Sequence, residues 1–256
     1  MDIRILGAHN SETTSSSNVC LLIDGKLAID AGGLTSRLTI EEQEKIDAVV
    51  LTHHHMDHIR DVPGIALNFF RLGACIDIYS TTQVCNAIRD HLLNKVVFPE
   101  FHNIPENKPT VNFQEIEPLG LQWIDGHAIL PVPVKHTGAA VGYQISDKKG
   151  KTVFFTGDTG PDLADCWQHI SPHMLIIDVT VSNEFEEFAE VTGHLTPHLL
   201  EEELISFREL KGYIPEVLAI HMDAALETVI RSELDVVEEN LQITIRMAHE
   251  DMRLSV

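Results

Sequence analysis

Apolar residues in this chain fall into short runs separated by turn-forming residues. The runs at 3–7, 19–24, 27–30, 48–52, 76–79, 128–134, 140–146, 152–156, 174–179 and 216–220 have strand length and strand composition. Between them, 40–46 and 81–94 carry helical patterning. Thr196-Pro197 marks a helix start: threonine can cap the free N–H groups of a first turn, and proline has no N–H to lose there. Leu200, Leu204 and Phe207 then recur at helical spacing, as do Leu226, Ile230, Leu234 and Val237 in the last helix. Both stripes are read as core-facing. A strand-rich first half followed by alternating strands and helices predicts an α/β (α+β) protein, with two sheets packed together and helices outside. The segment 98–118 carries several prolines and is read as irregular, either a lid or a crossing loop. Thr13 to Ser17 reads as a polar loop, and no linker, repeat or low-complexity tract divides the chain. Its 256 residues allow one large domain or two small ones.

Composition narrows the partners. The net charge is −21, from 39 acidic and 18 basic residues, which disfavours a long nucleic acid. Acidic groups such as Glu201-Glu202-Glu203 and Glu238-Glu239 read as solvated helix faces. No apolar run reaches the roughly 20 residues that span a bilayer, so no membrane partner is expected. Met1-Asp2-Ile3-Arg4 lacks the layout of a signal peptide. Cys20, Cys75, Cys85 and Cys166 form no CxxC pair, so reduced thiols in a cytoplasmic protein are expected.

The chemistry concentrates in His53-His54-His55-Met56-Asp57-His58, just after the apolar run ending at Leu51 and Thr52. Side chains alternate along a strand, so His53 and His55 can share a face while His54 points away. Two histidines can hold one metal, and Asp57 with His58 another. Asp30-Ala31-Gly32-Gly33 follows a strand, and Asp30 is placed to orient a ligand histidine. His136, Asp158 and His221 each end a further apolar run, with Asp158 held in Thr156-Gly157-Asp158-Thr159-Gly160. Strand ends of neighbouring strands converge on one sheet edge. Seven side chains there suffice for two metals with an open position. The remaining histidines read as ordinary surface or core residues. Lys135 and Arg60 read as surface residues within reach of adding positive charge.

The order of DAGG, THHHMDH, His136, TGDTG and His221 resembles the metallo-β-lactamase superfamily over nearly the whole chain. That resemblance implies a single domain over 1–256, a four-layer αββα sandwich with a dinuclear centre. It implies that His53, His55 and His136 hold the first metal, that Asp57, His58 and His221 hold the second, and that Asp158 bridges them. Val134-Lys135-His136-Thr137-Gly138, Leu175 to Thr180 and Thr192-Gly193-His194-Leu195-Thr196 resemble the phosphodiesterase branch, which holds tRNase Z and related cyclic-nucleotide phosphodiesterases. There His194 would be the proton donor, and Asp178 would stand where the branch has glutamate. Asp57, His194 and Asp178 are the candidate catalytic residues. In the same family, the segment Leu6 to Asn10 occupies the first-loop position, where His9 is expected to approach substrate.

The expected function is a dinuclear metal-dependent hydrolase. Two divalent ions, zinc best and manganese or iron compatible, would activate a shared hydroxide against a small phosphodiester such as a cyclic nucleotide. This chain lacks the basic insertion that serves tRNase Z as a tRNA-binding arm. The other readings are a tRNase Z-like ribonuclease, a thioester or lactone hydrolase of the same superfamily, and a metal-holding sensor module without turnover. The partner is a small anionic substrate, and resemblance suggests a homodimer.

Overall fold

In a strand, alternate side chains face opposite ways, and this chain uses both faces. On the strand Met174–Asp178, Met174 and Ile176 join one apolar cluster while Leu175 and Ile177 join another. On Thr152–Phe155, Val153 and Phe155 face the first cluster and Phe154 the second. Such strands must be covered on both sides.

The computed structural model describes residues 1–256. Its first seven-stranded sheet contains β1 (Asp2–Gly7), β2 (Cys20–Ile23), β3 (Leu27–Ile29), β4 (Ala48–Val50), β5 (Ile76–Ser80) and β6 (Val111–Glu115) in spatial order. The second, also seven-stranded, contains β7 (Gln122–Ile124), β8 (His127–Pro133), β9 (Val141–Ser146), β10 (Thr152–Phe155), β11 (Met174–Asp178), β12 (Glu216–Ile220) and β13 (Ile245–Met247). The last strand, β14 (Arg253–Ser255), returns to pair with β1 in the first sheet.

Three apolar clusters define four layers. One lies between the sheets and includes Ile5, Val50, Tyr143, Phe155 and Leu218. A second joins β10–β12 to the helices Pro197–Lys211 and Glu227–Leu241, through Leu200, Leu204, Phe207, Ile230 and Leu234. A third joins β4 and β5 to the helices Val62–Leu72 and Thr82–His91. The order is α–β–β–α, as expected. Thr196 caps its helix as read, its side chain accepting from Leu199 N–H.

The differences lie in short or polar elements. The segment 98–118 is not irregular throughout: Val111–Glu115 pairs with β5 as an edge strand whose later residues are half-buried to exposed. The helical pattern at 40–46 yields one α-helical turn, Ile40–Gln43, closed by a Thr39–Glu42 capping box.

Topology puts the chemistry on one edge. β3 through β6 run parallel, and so do β10 through β13. β8 is antiparallel to β9, and β9 to β10, so β8 shares the direction of β10. Ligands of parallel sheets bind off the carboxyl ends of strands.

Candidate metal centre

Each of the seven candidate ligands stands just beyond one of those carboxyl ends. His53 to His58 follow β4, His136 follows β8, Asp158 follows β10 and His221 follows β12. Two residues here, Asp30 (φ 58°) and His221 (φ 71°), hold a left-handed backbone that non-glycine residues adopt at a cost. Gly32 is needed for close approach: a Cβ there would lie 1.9 Å from the Asp57 carbonyl oxygen and 2.7 Å from Asn18 Cβ.

The structure gathers the seven side chains into two groups that share Asp158. The potential ligand atoms of His53, His55, His136 and Asp158 lie within 4.8 Å of one another, as do those of Asp57, His58, Asp158 and His221. Asp158 divides its carboxylate between them. Its Oδ2 is 3.5 Å from His53 Nε2 and 3.7 Å from His136 Nε2. Its Oδ1 is 2.9 Å from His58 Nε2 and 3.3 Å from His221 Nε2.

Hydrogen bonds behind the rings assign their protons. Thr52 Oγ1 donates to Asp30, 2.9 Å from Oδ2, and therefore accepts from His53 Nδ1 at 3.0 Å. His58 Nδ1 donates to Asp30 Oδ2 at 2.7 Å. Thr180 Oγ1 donates to Asp178 Oδ1 at 2.6 Å and accepts from His221 Nδ1 at 2.8 Å. His136 Nδ1 donates to the Gly193 carbonyl at 2.8 Å. Four rings thus turn Nε2 toward the centre. His53 Nε2, His58 Nε2 and Asp158 Oδ1 make no hydrogen bond there: with Nδ1 donating to Asp30, a neutral His58 ring turns an acceptor, not a donor, toward Asp158 Oδ1 2.9 Å away. Buried polar atoms left unpaired are costly, and a divalent cation supplies what these lack. The donor set of imidazole and carboxylate fits such an ion.

Electrostatics favours the same reading. Burial lowers the His55 pKa to about 4, helped by His53 and His136, so its ring is neutral and ready to ligate. Burial opposes ionisation of Asp57, but the hydrogen bond to His221 and the neighbouring His58 outweigh it and hold the carboxyl at about 2. Burial likewise opposes a charged Asp158, and His221, His58 and His53 overcome it.

Asp178 and His194 adjoin this centre. Asp178 is fully buried at the end of β11. Its Oδ2 accepts from His194 Nδ1 at 2.7 Å, and the His194 ring stacks on that of His221 at 5.3 Å. Burial disfavours a charged His194, but the Asp178 carboxylate outweighs it and lifts the pKa to about 9. Asp178, His194 and His221 also lie close enough to suggest a third cation group. Thr180 already joins them by hydrogen bonds, so their facing nitrogens are occupied.

A cavity of about 470 Å³ opens beside both groups, lined by Asn10, Asn18, His55, Asp57, Asp158, His194 and His221. His9 is not in that wall. It is buried, with Nδ1 2.8 Å from Glu250 and Nε2 3.0 Å from Glu227, so it holds the loop rather than approaching substrate. Arg60 is spent on ion pairs with Glu12 and Asp61. Lys135 is exposed beside a neighbouring cavity that His136 and Glu190 also line. The sequence reading gave Thr52 and Thr180 no role. Their only signal was a threonine two residues past a strand, next to His53 in one case and two residues after Asp178 in the other.

Known proteins are similar to this chain in sequence and fold. A family described as the beta-lactamase superfamily domain matches residues 22–222. A UPF0173 metal-dependent hydrolase of Myxococcus xanthus is 29% identical over 47% of this chain and 40% of its own length. A 3′,5′-cyclic-nucleotide phosphodiesterase of Aliivibrio fischeri is 24% identical over 66% of this chain and 56% of its own. The chain thus spans about half the length of these two relatives. A ribonuclease Z of Methanococcus maripaludis is 22% identical over 93% of this chain and 88% of its own. The crystal structure of unliganded yeast PDE1 superposes with a TM-score of 0.85 at 15% identity, covering 100% of this chain and 99% of that one, which establishes a shared fold. The family match begins in β2 and runs past His221; this chain belongs to the metallo-β-lactamase superfamily.

Proposed function

We propose that this protein is a phosphodiesterase acting on a small phosphodiester such as a cyclic nucleotide. The observation that carries this reading is the hydrogen bond from His194, which lines the cavity, to the buried Asp178 behind it. It occupies Nδ1 and leaves Nε2 as the ring nitrogen available to a substrate. His53, His55, His136 and Asp158 would hold one divalent ion, and Asp57, His58, Asp158 and His221 a second. Five histidines and two aspartates suit zinc, with manganese or iron as alternatives. Bound there, such ions would supply the positive charge that stabilises a phosphodiester's transition state and activates water. Asp158 orients both halves of the centre, and Asp30 and Asp178 fix the rings around it. His194, oriented by its Nδ1 hydrogen bond to Asp178, would present Nε2 as the proton donor to the departing alkoxide.

Charge and size support a small substrate over a long RNA. The chain carries −21 overall, and neither lysine nor arginine lines the cavity over the centre. A volume of about 470 Å³ suits a ligand of nucleotide size. All four cysteines are free and three are buried, which suits a reducing cytoplasm.

The test is turnover of bis-p-nitrophenyl phosphate, cyclic nucleotides, thioesters and lactones by protein of measured metal content. Phosphodiester turnover that vanishes in Asp158→Ala and returns with metal in the wild type supports the proposal. Thioester or lactone turnover without phosphodiester turnover would assign acyl chemistry instead. Two metal equivalents with no turnover on any substrate would favour a binding module.

A further inference from the structure

The wall of the cavity holds two polar groups for which the protein itself has no use. Asn10 Oδ1 and Asn18 Oδ1 are both buried without a hydrogen-bond partner, and both residues line the cavity alongside Asp57, Asp158 and His221. Asn18 itself is 8% exposed. A buried carboxamide left unpaired is costly, so one placed in a cavity wall calls for a ligand group.

The loop bearing them is built to hold still. His9 N–H donates to the Ser17 carbonyl at 3.1 Å, and Asn10 N–H to Met222 at 3.4 Å, next to His221. One Glu250 oxygen accepts from Ser17 N–H at 2.8 Å and contacts His9 Nδ1 at 2.8 Å, joining both ends of the loop. Inside the loop, the Thr13 and Ser16 hydroxyls pair at 2.8 Å. On the other side, the bare Gly32 lets both Asn18 and the Asp57 backbone pack against it. Fixing a loop in advance lowers the entropy lost when it binds.

We propose that Asn10 and Asn18 form a recognition subsite for an uncharged hydroxyl- or amide-bearing part of the substrate, next to the phosphodiester at the centre. A carboxamide has one acceptor and two donors, so it pairs with hydroxyls, ring nitrogens and amides alike. The surroundings argue against a second anionic group: Glu12, Asp57 and Asp158 line the cavity, and its only basic side chains are histidines. The subsite therefore separates a phosphodiester with a hydrogen-bonding alcohol portion, such as a nucleoside, from a plain aryl or alkyl diester. This inference rests on the phosphodiesterase reading for its substrate class.

The test compares metal-loaded wild type, Asn10→Ala, Asn18→Ala and the smaller change Asn18→Ser at equal metal content. Two substrates are used: 3′,5′-cyclic AMP, and bis-p-nitrophenyl phosphate, which has no hydroxyl or amide. The expected result is a KM for cyclic AMP raised roughly tenfold, the worth of about one hydrogen bond. For the aryl diester, kcat/KM should stay within about twofold of wild type. Equal losses on both substrates, or no loss on either, would overturn the subsite. Should wild type hydrolyse neither diester, the phosphodiesterase reading itself fails. The same variants are then compared on the thioester or lactone that wild type does hydrolyse, against an analogue lacking hydroxyl and amide groups, and the same criterion decides.

Discussion

Asp178 accepts a 2.7 Å hydrogen bond from His194, and the same distance separates Asp30 from His58 on the other sheet. Each aspartate also takes the hydroxyl of a threonine that in turn accepts from a second histidine, His221 in one case and His53 in the other. Two short carboxylates, one per sheet, thus orient two rings each.

In metal-free protein this pairing has a pH signature. His194 is raised from an ordinary 6.5 to about 9, so its contribution to stability is full below pH 6.5 and lost as pH rises through about 9. Asp178→Asn removes the anion, and the His194 midpoint should fall back toward the ordinary value. A histidine ring titration followed by NMR reads this directly. An unchanged midpoint would show that Asp178 does not control the ring.

Thr52→Val and Thr180→Val keep the side-chain shape and delete the hydroxyl that receives a ring N–H. Each leaves a buried donor unpaired, at a cost of about 1–3 kcal/mol. Metal affinity should drop about 10- to 100-fold, the usual effect of losing a group that orients a ligand. Competition against a chromophoric chelator measures it, and a change smaller than twofold would deny these threonines an orienting role.

Gly32→Ala places a Cβ 1.9 Å from the Asp57 carbonyl oxygen, where only backbone can yield. Urea denaturation should show a loss of at least about 1–3 kcal/mol, the range of ordinary overpacking. Because the displaced residue is Asp57, metal titration should show weakened binding as well. Wild-type stability in this variant would contradict the close approach.

Glu250 reports on the cavity loop. Burial opposes its ionisation, but the hydrogen bonds from His9 and Ser17 outweigh it and hold its pKa at about 2, below an ordinary 4.5. Its stabilising contribution is therefore present above pH 4.5 and lost as pH falls toward 2. Glu250→Gln should be less stable than wild type at neutral pH, with the gap closing on acidification. Circular dichroism melts across that range test this; a gap independent of pH would remove Glu250 from the account.

The two-sheet architecture was legible because strands such as Met174–Asp178 are apolar on both faces and end in a polar residue. The gathering of His53, His55, His136, Asp158 and His221 was legible for a related reason: each follows an apolar run of strand length. Short edge elements were not legible. Val111–Glu115 is half polar because much of it is incompletely buried, so it lacks a strand's apolar signal. His9 was misread as facing substrate because its partners, Glu227 and Glu250, lie more than 200 positions along the chain. Thr52 and Thr180 escaped for the opposite reason: threonine at a strand end is too common to mark a site by itself. Asn10 and Asn18 stand out only once the atoms around them show what they lack.

Both candidate groups take ligands from each sheet: His53 and His55 meet His136, and Asp57 and His58 meet His221, with Asp158 common to both. An ion in either group is therefore a rivet across the seam between the two halves of the sandwich. Its binding energy would be added to the cohesion of that edge, so metal removal is expected to lower the stability of the fold as well as to empty the site.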